Sequence, residues 1–342
     1  MSRHSAARVA LPFAASTEAS QMIGRSDAMA AVMREVDIAA LFDIPVLISG
    51  ATGTGKTQLA RVIHSSGPRR ERRFVDINCA AIPDNLFESE LFGAVPGAYT
   101  GAVHRMWGKV AAAEGGTLFL DEVGELTAMA QAKLLQFLHT GQYYPLGSNT
   151  VHTADVRIIS ATNLDLHEAA RERRFRSDLL FRLQGLSIHT PSVEERLEDV
   201  SALASYFCEK ARRSHDLGPI ALSEGALRAM EEAAWPGNVR QLANTVELGT
   251  IRASAQGASS IDVEHVFPNG RPVARDVGAG RSFREQTRRF QRALMLQTLQ
   301  ASNGNVAKAA RSLELTRAHV YNLLKELDVP HKPQVQPRRG AP

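Results

Sequence analysis

Residues Gly50-Ala51-Thr52-Gly53-Thr54-Gly55-Lys56-Thr57 match Gly-x-x-x-x-Gly-Lys-Thr, directly after the apolar run Val46-Leu47-Ile48 and before a helical segment at 58–64. A strand, such a loop and a helix in that order commit this part of the chain to a phosphate-binding α/β unit. Glycines let the backbone wrap closely around phosphate oxygens, with successive N–H groups pointing inward at the positive end of a helix. Gly50, Ala51, Thr52, Gly53, Thr54 and Gly55 then form the cradle. Lys56 is expected to reach the β- and γ-phosphates, and the Thr57 hydroxyl to ligate Mg²⁺.

Leu118-Phe119-Leu120-Asp121-Glu122 supplies the complement, an apolar strand that ends in two acids. Asp121 is expected to hold Mg²⁺ and Glu122 to orient and activate the attacking water. Ser160-Ala161-Thr162-Asn163 ends a further strand with an amide placed to sense the γ-phosphate. Arg176 and Arg182, six apart, suit charge stabilisation on a transferring phosphoryl group, although spacing alone favours local pairing with Asp178 or Glu172. Arg240 opens a helix that could meet nucleotide from a lid.

Apolar runs at 46–48, 74–77, 117–120 and 156–159 read as short buried strands separated by helical segments, which predicts a parallel sheet covered on both faces. From 192 to 267 only helical patterns are read, at 199–213, 223–234 and 238–255. The expected organisation is a tail at 1–20, disordered, with only about 20 residues ahead of the core; an α/β nucleotide-binding subdomain at 21–190; and an all-helical lid at 191–267. A linker at 268–281, a helical unit at 282–330 and a tail at 331–342 complete it.

Charge divides along the same line. Residues 271–342 carry 14 Lys and Arg against 5 Asp and Glu, and residues 1–270 carry 26 against 31. A basic end on a mildly acidic body points to a polyanion at the C-terminus alone. No run approaches the roughly 18–20 apolar residues of a spanning helix, and two cysteines, Cys79 and Cys208, exclude a disulfide framework. A soluble cytoplasmic protein without membrane contact is expected.

In the basic end, residues 305–325 suit a helix-turn-helix. Ala309, Ala310 and Leu313 of the first helix are expected to pack on Val320 and Leu324 of the second, which Thr316 caps. Arg317, His319, Tyr321, Asn322 and Lys325, with Thr316 at the helix start, would then meet the DNA major groove. Phe283, Phe290, Leu294, Leu296 and Leu299 give an apolar stripe suited to dimerisation.

Glu88-Ser89-Glu90-Leu91-Phe92-Gly93 followed by Gly97-Ala98-Tyr99-Thr100-Gly101-Ala102 resembles the bacterial enhancer-binding proteins, AAA+ activators of sigma-54 RNA polymerase. The resemblance spans residues 22–267, and the C-terminal part resembles their Fis-type helix-turn-helix. It implies an α/β AAA+ core with a helical lid that binds ATP and Mg²⁺ and hydrolyses ATP. It further implies a hexameric ring in the active form, a dimer on DNA, and a loop at 97–102 that touches sigma-54. Asn78 matches the asparagine that couples Glu122 to loop position, Arg176 and Arg182 the trans-acting arginines, and Asn163 and Arg240 the two sensors. Ala94, Val95 and Pro96, Tyr99 in place of Phe, Glu194 in place of Arg and Glu314 in place of Gly depart from the family pattern.

The function expected is remodelling of the sigma-54 RNA polymerase closed complex from an upstream DNA element, under control of a separate regulatory protein or of expression level. The alternative is a nucleotide-responsive DNA-binding regulator acting by occupancy alone.

Overall fold

The computed structural model describes residues 22–98, 104–268 and 270, and in the C-terminal part 295, 298, 302, 306–313, 315, 320, 323 and 324. The chain divides between Ala274 and Arg275 into two compact units, each described by itself.

Five parallel strands form the central sheet of the first unit: β1 (Val46–Ser49), β2 (Phe74–Asn78), β3 (Thr117–Asp121), β4 (Arg157–Thr162) and β5 (Leu186–His189), in the order β2-β3-β4-β1-β5. Four lie where the apolar runs predict, with ends shifted by one to three residues. The edge strand β5 is an addition, since Leu186-Ser187-Ile188-His189 is too short to stand out from its surroundings. Alternate side chains of β3 enter opposite faces. Leu118 and Leu120 join the core beneath α3 (Asp84–Phe92), α4 (Lys109–Ala112), α5 (Ala128–Thr140), α6 (Leu166–Arg171) and α7 (Ser177–Leu183). Phe119 joins Met29, Val32, Leu59 and Ile63 of α1 (Asp27–Leu41) and α2 (Lys56–Ser65) on the other side. Burial on both faces explains the unbroken apolar runs.

Two short hairpin stems project from this layer. Gly93–Ala94 pairs antiparallel with Met106–Trp107, and Gln142–Tyr143 with His152–Thr153. They rest on one another: Val95 N–H donates to Leu146 O at 3.0 Å and Leu146 N–H to Gly93 O at 2.8 Å.

The lid carries α8 (Val200–Ser214), α9 (Glu224–Glu232), α10 (Asn238–Ala255) and α11 (Val263–Val266) around Leu203, Met230, Trp235, Leu242 and Val246. A two-residue parallel ladder, Ala221–Leu222 with Ser260–Ile261, adds to the helical expectation. The Asp199 carboxylate ties lid to core: it accepts from Arg25 N–H at 2.6 Å, Ser26 N–H at 3.1 Å and the Ser26 hydroxyl at 2.6 Å. Ser26 in turn caps α1.

In the second unit the helix at Val306–Ser312 buries Val306, Ala309 and Ala310 with Met295, Val320 and Leu324, and Leu313 packs against them. This is the packing expected of the helix-turn-helix. Phe283, Phe290, Leu294, Leu296, Leu299 and Glu314 lie outside the described residues, as do residues 1–20 of the expected tail and the 331–342 tail. Among the described residues no helix is long and apolar enough to cross a membrane.

Candidate functional site

The parallel register brings the strand ends into one row. Asn78 stands opposite Asp121, and Ser49 opposite both Thr162 and His189. Ligands of such sheets bind at this C-terminal edge, where the strand order reverses, and the phosphate loop leaves β1 there. Gly53 has φ 81°, and a Cβ on it would stand 2.3 Å from Gly237 O of the lid. Gly55, at φ 104°, caps α2 in the left-handed conformation.

Lys56 is 6% exposed, and its ammonium donates to Gly50 O at 2.9 Å and Ala51 O at 3.4 Å, with Glu122 Oε1 at 3.7 Å. The Thr57 hydroxyl donates to Asp121 Oδ2 at 3.2 Å. Glu122 stands in the left-handed region at φ 52°, a strain on the order of 1 kcal/mol for a non-glycine residue. Its Oε2 accepts from Asn163 N–H at 3.1 Å, and the Asn163 amide donates to Thr52 Oγ1 at 3.2 Å. Asn78 Oδ1 accepts from Ala80 and Ala81 N–H at 3.0 and 3.1 Å, a turn of its own next to Asp121 and not a bond to Glu122.

Lys56, Thr57, Asp121 and Glu122 line a cavity of about 330 Å³ closed on the far side by Phe207, Val239 and Arg240 of the lid. A larger hollow of about 450 Å³ lies at the N-terminal ends of the strands, but there Arg69 is already paired with Asp43 and Asp155. The smaller cavity fits a magnesium nucleoside triphosphate. It combines a helix N-terminus, a buried ammonium, a glycine at 53 with no room for a side chain beneath the lid, and hard oxygen donors on Thr57 and Asp121. Among the described residues no group of three or more His, Cys, Asp or Glu could hold a metal, so a cation here would draw its remaining ligands from phosphate and water.

Arg176 and Arg182 engage locally. The Arg176 guanidinium pairs with Asp178 at 2.8 Å, and Arg182 Nε donates to Leu138 O at 3.0 Å. Both partners of the first pair are about half exposed, so solvent screens the pair and it releases Arg176 readily. Buried Gln131 places the segment: it accepts from Arg176 N–H at 2.9 Å and donates to Leu126 O and Arg174 O at 2.8 and 3.1 Å. A glutamine three residues before Leu134, on the apolar side of α5, is the sequence signal for that role.

Three more residues, in segments that resemble the family's core–lid junction and lid motif but without a site role read from the sequence, reach the phosphate loop. The Thr190 hydroxyl meets Thr54 Oγ1 at 2.8 Å. Arg196, 2% exposed, donates to Thr54 O at 3.1 Å. Asn238, 4% exposed, donates to Thr52 O at 3.0 Å and accepts from Val193 N–H at 2.9 Å.

Of the expected sigma-54 contact loop, Gly97 and Ala98 are described; Gly97 has φ 82°, and Ala98 N–H donates to Val95 O at 3.1 Å in a tight turn. Tyr99, Thr100, Gly101 and Ala102 lie outside the described residues, as do the expected DNA contacts Thr316, Arg317, His319, Tyr321, Asn322 and Lys325. At the foot of the loop Arg105 stacks 4.2 Å over the ring of exposed Trp107.

Three family profiles match the chain in series: a Sigma-54 interaction domain over residues 22–189, an AAA+ ATPase lid domain over 194–277, and a bacterial regulatory protein of the Fis family over 286–327. The anaerobic nitric oxide reductase transcription regulator NorR of Aeromonas salmonicida is 40% identical over 334 residues, covering 92% of this chain and 66% of that protein. Its counterpart in Salmonella paratyphi C is 42% identical over 318 residues, covering 90% and 62%. The chain thus spans slightly less than two thirds of these relatives' length. NtrX from Brucella abortus in complex with ATP superposes with a TM-score of 0.68 at 28% identity, covering 90% of this chain and 69% of that one. A RuvB point mutant from Thermotoga maritima reaches 0.50 at 13% identity, covering 90% of each chain, a likeness of fold alone. A sigma-54 interaction domain, its lid and a Fis-type regulatory domain in series place the chain in the AAA+ family of bacterial enhancer-binding proteins.

Proposed function

We propose that this protein hydrolyses MgATP in the cleft between sheet edge and lid and uses the energy to remodel the sigma-54 RNA polymerase closed complex, while its C-terminal unit holds an upstream DNA element. The observation that carries this reading is the convergence of Lys56, Thr57, Asp121 and Glu122 on one cavity under Arg240, with Asn163 N–H bonded to Glu122, in a chain that also carries the Gly97–Ala102 motif.

Lys56 neutralises the β- and γ-phosphates, and the loop N–H groups and the end of α2 orient them. Thr57 and Asp121 hold Mg²⁺, which when bound offsets phosphate charge. Glu122 accepts the proton of the attacking water, held in place by the Asn163 N–H. Asn163 and Arg240 register the γ-phosphate, and Asn78, beside Asp121 in the ladder, relays its loss towards the loop. In a ring, expected to be a hexamer, Arg176 and Arg182 leave their local partners and stabilise charge on a neighbour's phosphate.

Movement reaches sigma-54 through Gly97, Ala98, Tyr99, Thr100, Gly101 and Ala102, whose stem rests on the second hairpin. Thr316, Arg317, His319, Tyr321, Asn322 and Lys325 read the major groove as a dimer, and the +9 C-terminal charge is rewarded by counterion release.

Two variants test the reading. Glu122→Ala is expected to abolish phosphate release. Tyr99→Ala is expected to keep hydrolysis and lose open-complex formation on a sigma-54 promoter. Unchanged transcription with Tyr99→Ala would instead leave regulation by DNA occupancy.

A further inference from the structure

Three consecutive carbonyls of the phosphate loop are each held from outside the loop. Thr52 O accepts from the Asn238 amide at 3.0 Å, Gly53 O from Arg240 N–H at 3.2 Å, and Thr54 O from the Arg196 guanidinium at 3.1 Å. None of these donors belongs to the loop; one stands at the junction of core and lid and two on the lid helix α10. A peptide unit is planar and trans, so its C=O and the following N–H point in opposite directions. Tying the Thr52 and Thr54 carbonyls outward therefore turns the N–H groups of Gly53 and Gly55 towards the place of the phosphates, while Thr54 N–H closes a turn onto Ala51 O at 3.4 Å.

We propose that Asn238 is a positioning residue which, with Arg196, makes docking of the lid a condition for the phosphate loop to bind ATP. This rests on reading the cavity as an ATP site. Asn238 is built for the task. Its amide orientation is unambiguous, because Val193 N–H requires its oxygen and Thr52 O requires its nitrogen. It is buried, and its backbone at φ 51° is strained, a cost retained where the surrounding contacts over-determine a conformation.

Arg196 repeats the pattern. It is a buried guanidinium with its Nε unpartnered, held on Thr54 O and on Met29 Sδ at 3.0 Å, a poor choice for stability alone. By linkage, nucleotide that favours the oriented loop also favours the docked lid, so binding and lid position share one equilibrium.

The test is Asn238→Gly, which removes both side-chain bonds and also relieves the backbone strain, with Arg196→Met as an independent second variant. Loop orientation helps the bound substrate and the transition state alike, so its loss raises KM and spares kcat. The expected result in steady-state ATP hydrolysis is at least a tenfold rise in KM with kcat within about threefold. Affinity for MgATP, titrated in a Glu122→Gln background, should fall by the same factor. A merely structural role would lower the active fraction, and hence kcat, with KM unchanged. An unchanged KM in either folded variant overturns the proposal. Failure of the Glu122→Gln parent to bind MgATP at all removes the ATP-site reading instead, and the clamp with it.

Discussion

Adding one methyl group to the phosphate loop separates backbone strain from contact with the lid. Gly53 and Gly55 both stand at positive φ, 81° and 104°, so alanine at either place costs about 1–2 kcal/mol in backbone strain. Their surroundings differ. A Cβ on Gly53 would stand 2.3 Å from Gly237 O and 3.1 Å from Arg240 Cβ, whereas one on Gly55 meets nothing within 4 Å. Forcing a methyl into a packed contact costs typically a further 1–3 kcal/mol, and here the group that must yield is lid backbone. Gly53→Ala is therefore expected to lower stability by about 1–3 kcal/mol more than Gly55→Ala. For a unit of this size that is an extra fall of roughly 2–12 °C in melting temperature, read by thermal unfolding of nucleotide-free protein. Equal melting of the two variants, or a lower value for Gly55→Ala, would refute the close approach of lid and loop.

Three further outcomes follow from buried groups. His64 is buried with Nδ1 2.9 Å from the Thr117 hydroxyl, and burial, aided by Arg157 and Arg61 against the opposing Arg72 carbonyl, holds its pKa below 6.5. As pH falls below 6.5 the unfolded chain takes that proton first. Stability is then fully present above that pH and lost as pH falls through the folded-state value, and His64→Asn should flatten the fall of melting temperature with pH below 6.5. The Cys79 thiol is pushed up to about 12 by burial first and then by the charge of Asp121. At pH 8 it carries about a thousandfold less thiolate than an ordinary cysteine, so iodoacetamide should leave it unlabelled in the folded protein and label it in urea. Gln131→Ala strips three hydrogen bonds, one buried and two part-buried, and should cost about 2–4 kcal/mol. Turnover should fall with it if Arg176 acts on a neighbour, and a melting temperature equal to that of the parent would contradict the geometry.

What the sequence reveals and conceals follows from the range of the interactions. Strands such as Leu118-Phe119-Leu120 are legible because sheet burial on both faces demands unbroken apolar runs. The helix-turn-helix core at Ala309, Ala310, Val320 and Leu324 is legible because helical spacing alone puts those residues on one side. The chemistry at Lys56, Thr57 and Asp121 is legible because local loop and strand-end geometry deliver it. The strand Leu186–His189 is not, since four residues after Gly185 are recognisable only from their pairing with β1. Nor are the roles of Asn238 and Arg196, whose phosphate-loop partners lie more than a hundred residues away. The paired Arg176 and Asp178 show the opposite case: spacing left two readings open, and the chain by itself displays the local one.

The most direct measurement of the central claim is open-complex formation on a sigma-54 promoter by purified, assembled parent and Glu122→Gln protein, each supplied with Mg²⁺ and ATP. The account predicts heparin-resistant open complexes with the parent protein and none with Glu122→Gln, although both bind the nucleotide. Open complexes formed equally by Glu122→Gln protein would contradict it, because opening would then need the bound triphosphate and not its cleavage.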